Sequence, residues 1–106
     1  MTDRERLIEK LKDLGGKPEF HKGTGTTVVF FGTRPRLYDP WEYTEFWIYT
    51  GHFTSVRVEG RGTSLLLLTR YAHEDLYNVI KDFTTVEELN AYIKAEITIK
   101  EALNQI

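Results

Sequence analysis

The chain has no cysteine. That excludes disulfide staples, a thiolate nucleophile and any cysteine-liganded zinc site. Long apolar runs are missing too. The longest are four residues, Leu65 to Leu68 among them, and fall far short of the roughly 20 residues a membrane-spanning helix needs. The opening MTDRERLIEK carries charge throughout and has no apolar stretch of the kind a secretion signal requires, so a cytoplasmic location is expected. Histidine is sparse and scattered: His21, His52 and His73 form no pair at helical ligand spacing and no HExxH pattern. No metal and no cofactor are expected.

Signatures of catalysis are equally thin. Gly23 and Gly25, in HKGTGTT, precede a strand-like run, whereas the dinucleotide fingerprint follows a strand and opens a helix. Ser55 and Ser64 sit in strand-like segments with no identifiable base partner. His73-Glu74-Asp75 reads as a solvated turn or helix start. Glu87 and Glu88 are explained as acids complementing a helix N-terminus. No catalytic residue is assigned, and the chain is read as leaning away from an enzyme.

What is present is a chain of 106 residues, expected to form a single α+β domain over 1–106. Net charge is −2 overall, but Glu74–Ile106 alone has three basic against seven acidic residues, a balance of −4. Gly15–Pro40 is the basic region, with Lys17, Lys22, Arg34 and Arg36 against Glu19 and Asp39. This footprint is weaker than that of a dedicated nucleic-acid binder.

A first helix is expected over about Asp3 to Leu14. Thr2 and Glu5 have capping-box spacing, Leu7, Ile8, Leu11 and Leu14 share a face, and Gly15-Gly16 stops it. His21 to Thr26 reads as a loop or hairpin lead-in to a strand over Thr26–Phe31, rich in β-branched and aromatic residues. Thr33 to Glu42 contains two prolines and no periodicity, the marks of a long surface connection. Tyr43 to Tyr71 then reads as three strands joined by glycine turns. Residues 72–83 fit a helical face through Leu76, Val79, Ile80 and Phe83, but also a final strand over Tyr77–Phe83, which is the reading favoured. The closing helix runs from about Val86 towards Asn104, behind overlapping capping candidates Thr84/Glu87 and Thr85/Glu88. The expected fold is therefore an N-terminal helix, an antiparallel meander of four or five strands, and a C-terminal helix packed on one sheet face.

Two-residue turns in the meander pair odd with even positions. They set Trp47, Val56, Val58, Leu65 and Leu67 on one face, read as core. The other face carries Phe46, Ile48, Phe53, Leu66 and Leu68 among Ser55, Arg57 and Arg70. A three-residue turn flips one strand against its neighbour. If Phe46, Ile48, Phe53, Leu66 and Leu68 are the covered set, the faces exchange and Trp47 and Tyr49 become the candidate surface. Two helices cover one face of such a sheet but not comfortably both, and an apolar centre in a charged border is the pattern of an interaction surface.

The expected partner-binding residues are accordingly Phe46, Ile48, Phe53, Leu66 and Leu68, oriented by Arg57 and Arg70. A second contact comes from Arg34, Arg36, Tyr38 and Trp41 in the long connection. The expected function is a small non-enzymatic protein-interaction module. It binds a larger host macromolecule or itself as a homodimer, in the manner of phage and mobile-element inhibitors; no membrane partner is expected. One alternative is a single-stranded nucleic-acid binder using Arg34, Arg36, Trp41 and the sheet aromatics. Another is a small ligand-binding domain or enzyme with a pocket near His52, Tyr49 and Glu45.

Overall fold

A single antiparallel meander with all its helices on one side defines this α+β fold. The computed structural model describes residues 1–31, 44–59 and 65–104 and, within them, all side chains except those of 58–59, 65–69, 94 and 97–104. In chain order the elements are α1 (Asp3–Asp13), β1 (Lys17–His21), β2 (Thr26–Phe31), β3 (Thr44–Ile48), β4 (Phe53–Glu59), β5 (Leu65–Ala72), α2 (His73–Ile80) and α3 (Val86–Asn104). The strands lie in sequence order, β1-β2-β3-β4-β5, each antiparallel to the next.

The helices begin where side chains satisfy orphan backbone donors. At α1, Thr2 Oγ1 accepts from the Glu5 backbone N–H at 3.1 Å, and the Glu5 carboxylate accepts from the Thr2 N–H. Ahead of α3, the Glu88 N–H donates to Thr85 Oγ1, and the Glu88 carboxylate accepts from the Thr84 N–H at 3.1 Å and the Thr84 hydroxyl at 2.9 Å. Thr85 thus accepts the Glu88 N–H as the expected box requires, but the reciprocal backbone bond to the Glu88 carboxylate comes from Thr84, which turns to Glu88 instead of Glu87. The Thr84 and Thr85 bonds hold the Glu88 carboxyl below its ordinary range. Gly16 admits the close approach of α1 to the sheet: a Cβ there would collide with the Val29 side chain, the Leu11 carbonyl and the Phe31 ring.

Two elements depart from expectation. Lys17–His21 forms β1, an edge strand exposed along its whole length. Pro18 has no N–H to give to a ladder, and an edge is where a sheet accommodates such a residue. The segment read as a final strand is the helix α2, with Leu76 and Ile80 fully buried at i, i+4. The competing strand reading fails because β5 runs directly into α2, with Ala72 as an N-cap that makes no side-chain hydrogen bond.

One strand of the meander, β3, is reversed from the expected assignment, while β4 keeps its expected faces. The Tyr49 N–H bonds to the Phe53 carbonyl at 3.3 Å, closing a three-residue loop over Thr50-Gly51-His52. An odd loop pairs like parity with like: Phe46 lies opposite Val56, and Ile48 opposite Thr54. Phe46, Ile48 and Val56 are fully buried together with Val29, against Leu7 and Leu11 of α1, Leu76 and Ile80 of α2, and Leu89 and Ile93 of α3. Phe46 and Ile48 are therefore core side chains and not a docking surface. Val56 is core as expected, whereas Trp47 is not part of that cluster.

Polar contacts fix the helices on this side. The Arg4 guanidinium, at the start of α1, donates to the carbonyls of Tyr49 (3.0 Å) and Gly25 (3.1 Å) and reaches Thr27 Oγ1 and the Ile48 carbonyl. It ties the helix to both hairpin loops at one end of the sheet. Tyr71 of β5 donates to Glu96 of α3 at 3.1 Å, and burial, with the Glu96 charge nearby, raises the Tyr71 phenol above its ordinary range.

Chemical denaturation checks the burial asymmetry. Phe46→Ala is expected to cost about 3–5 kcal/mol of folding stability. Phe53→Ala, at a position 50% exposed, is expected to stay within about 1 kcal/mol. Thr54 is fully buried and its hydroxyl has no partner among the described residues. Thr54→Val is expected to stabilise by about 1 kcal/mol, because it removes an unsatisfied polar atom without changing side-chain shape.

Candidate functional site

Alternation along β3 and β4 sends one set of side chains away from the helices. Glu45 and Trp47 of β3 stand beside Arg57 and Ser55 of β4, and Ser55 pairs with Arg70 of β5. On the other flank Trp47 pairs with Val28 of β2, and Val28 with Glu19 of β1. The core cluster that holds side chains of all three helices includes none of these residues.

This helix-free face is built rather than bare. Trp47 is half-buried at its centre, and its flanking register neighbours Val28 and Ser55 are only 1% and 2% exposed. The indole N–H donates to Glu45 Oε2. The Arg57 guanidinium carbon lies 3.9 Å from the indole ring centre, a cation–π geometry. The His21 imidazole stacks with the same ring system at 6.2 Å between centroids, 23° from parallel. His21 also lies 3.8 Å from the Glu19 carboxylate. Phe53 sits at one end, half exposed, and Arg70 is exposed beside it.

Of the expected docking residues, Phe53, Arg57 and Arg70 come together on this face, with Trp47 in place of Phe46 and Ile48. The side chains of Leu66 and Leu68, and all of Arg34, Arg36, Tyr38 and Trp41, lie outside the described residues. Sequence reading missed His21 as a strand residue stacked on Trp47. The two approach because β1 and β3 both flank β2, a relation that only the unanticipated edge strand creates.

Two hollows meet at His52. One, about 300 Å³, is lined by Tyr49, Gly51, His52, Phe53 and Arg70. The other, about 550 Å³, is lined by Met1, Thr2, Asp3, His52, Ala72, His73 and Glu74. Tyr49 and His52 thus share a hollow as the pocket reading anticipated, but Glu45 is not among its lining residues. Among the described residues no group of three or more His, Cys, Asp or Glu is placed to hold a metal ion.

His73 is the buried titratable group of this region, 5% exposed. Its Nε2 lies 2.8 Å from the Phe53 carbonyl, and its backbone N–H donates to the His52 carbonyl at 2.9 Å. These bonds stitch the start of α2 to the β3–β4 turn. Burial pushes the imidazole below its ordinary pKa of 6.5. Arg4 and His52 act in the same direction, and the Phe53 carbonyl and Asp3 oppose it.

No protein-family model matches the chain, and no curated protein or solved structure is significantly similar to it.

The depressed His73 value has a pH consequence. The unfolded imidazole binds its proton more readily than the folded one, so the contribution of His73 to stability is complete above about pH 6.5 and is lost as pH falls through the lower folded value. Urea titrations between pH 7 and 5 are expected to show stability declining, with a shallower decline in His73→Gln. An unchanged slope in the variant would assign the pH dependence to other groups.

Proposed function

We propose that this chain is a small protein-interaction module that docks a partner protein on the helix-free face of its sheet. The observation that carries the reading is the one-sided use of the helices. Among the described residues, the buried apolar side chains of α1, α2 and α3 all pack on the face of Phe46, Ile48 and Val56. The opposite face keeps an aromatic and cationic set, Trp47, Phe53, Arg57, Arg70 and His21. Tryptophan and arginine dominate interface hot spots because each combines broad apolar contact with directional hydrogen bonding. Half-exposed Phe53 supplies an apolar anchor next to them. In this reading the module acts in the cytoplasm as a small inhibitor of a larger host macromolecule, in the manner of phage and mobile-element accessory proteins. A second copy of the chain is the other occupant the same face could take.

Site-specific photo-crosslinking tests the assignment. A benzophenone side chain in place of Phe53, irradiated in the native host cell, is expected to trap a discrete protein adduct. The same probe at Val79, an exposed position on α2, is expected to trap none. An adduct of twice the chain mass would identify the partner as a second copy. No adduct at Phe53, or equal yields at both positions, would overturn the reading.

A further inference from the structure

We propose that Arg57 and Arg70 form a carboxylate-binding pair, so that the helix-free face takes an acidic segment of its protein partner. The inference rests on the docking reading above and adds the chemistry of what docks.

The cations of this chain are treated unequally. Arg6 pairs with Asp3, Lys12 pairs with Glu9, and Arg4 spends its guanidinium on four oxygens of the hairpin loops. Arg57 is different. It is half-buried and stacked on Trp47, yet none of its donors meets an acceptor among the described residues, and its Nε is shielded from solvent without a hydrogen bond. Glu45 stands directly across the ladder from Arg57, the usual place for a cross-strand ion pair. The Glu45 carboxylate instead accepts the Trp47 indole N–H. The guanidinium is therefore positioned by stacking alone. A planar guanidinium held flat on an aromatic ring has lost much of its rotamer freedom in advance, and its fork of donors matches the two oxygens of a carboxylate.

Arg70 supplies a second cation on the same face. It pairs with Ser55, which separates it from Trp47 in the register, and a bulge lies between the Ser55 and Arg57 pairings. Arg70 is exposed and makes no ion pair among the described residues. Two arginines without acceptors among the described residues, beside an exposed Phe53, match an acidic segment that also carries an apolar residue.

Protein carboxylates fit better than a nucleic-acid strand. Single-strand binders stack bases on open aromatic faces, but the Trp47 ring already carries Arg57 and stacks with His21.

The arginine Nε–H resonances of the intact chain provide the test, titrated at constant ionic strength with an oligo-glutamate peptide and, separately, with oligo-thymidylate of equal charge. Oligo-glutamate is expected to shift the Arg57 and Arg70 signals and to leave Arg6, already paired with Asp3, in place. Arg57→Gln and Arg70→Gln are each expected to weaken that binding by about tenfold, the scale of a lost charge-assisted contact. Arg57→Lys, which keeps the charge and loses the fork, is expected to rescue only partly. No shift at Arg57, unchanged binding by Arg57→Gln, or an equal response to oligo-thymidylate would overturn the carboxylate assignment. Because Arg70 is exposed, Arg70→Gln tests it free of any folding defect. Failure here alongside a Phe53 crosslink would remove the carboxylate chemistry and leave the docking face standing. Loss of both would remove the face.

Discussion

The period-two alternation of β3 is the constraint on which the rest depends. Five residues, Thr44 to Ile48, alternate between buried and half-buried. Phe46 and Ile48 therefore enter one layer with every buried helix leucine and isoleucine, and Glu45 and Trp47 are sent to the other. A shift of one residue would exchange the two sets wholesale, placing a tryptophan and a glutamate against the helices. Burying large aromatic and aliphatic side chains is the main favourable term in a domain of this size, so the register and the placement of the helices select one another.

The polar framework then locks the arrangement. Arg4 reaches the loops after β1 and β3 from the first turn of α1, and His73 fastens α2 to the loop that sets the β3–β4 register. Tyr71 and Glu96 join the last strand to the last helix. Each contact links a helix to the sheet at a point where backbone carbonyls or phenols would otherwise be buried without partners, a costly state. The helix-free face follows as a by-product: with no helix to accommodate, it can hold a stacked arginine and a glutamate-bound indole that a packed core would exclude.

Much of this was legible in the sequence, for local reasons. Thr2 and Glu5, Thr85 and Glu88, and the Leu7/Leu11 spacing act within a turn or two of helix, and α1 and α3 stand where those signals put them. The strands over Thr26–Phe31 and through the meander declare themselves by β-branched and aromatic content. What failed was information carried by counts and distances between segments. Whether the β3–β4 loop has two or three residues is a difference of one, invisible in Tyr49-Thr50-Gly51-His52, yet it flips β3 against β4 and exchanges Phe46 and Ile48 with Trp47. Trp47 looked like core because the assumed register placed it with Val56, Val58, Leu65 and Leu67, and Phe46 and Ile48 looked like surface because the same register placed them among Ser55, Arg57 and Arg70. The helix α2 showed a helical face through Leu76, Val79, Ile80 and Phe83 but lacks a capping side chain to decide for it, and β1 lacks an apolar face. His73 read as part of a solvated turn or helix start, and the role of Arg4 went unread, because their acceptors are carbonyls far away in sequence.

The central claim is that the three helices cover Phe46 and leave Trp47 on the far side of the sheet. A nuclear Overhauser spectrum of the folded chain with assigned aromatic and methyl resonances measures this directly. The account predicts cross-peaks from the Phe46 ring to methyl groups of the helix core set Leu7, Leu11, Leu76, Ile80, Leu89 and Ile93, and from the Trp47 indole to Arg57 and His21. Cross-peaks from the Trp47 indole to those helix methyls, with none from Phe46, would contradict it.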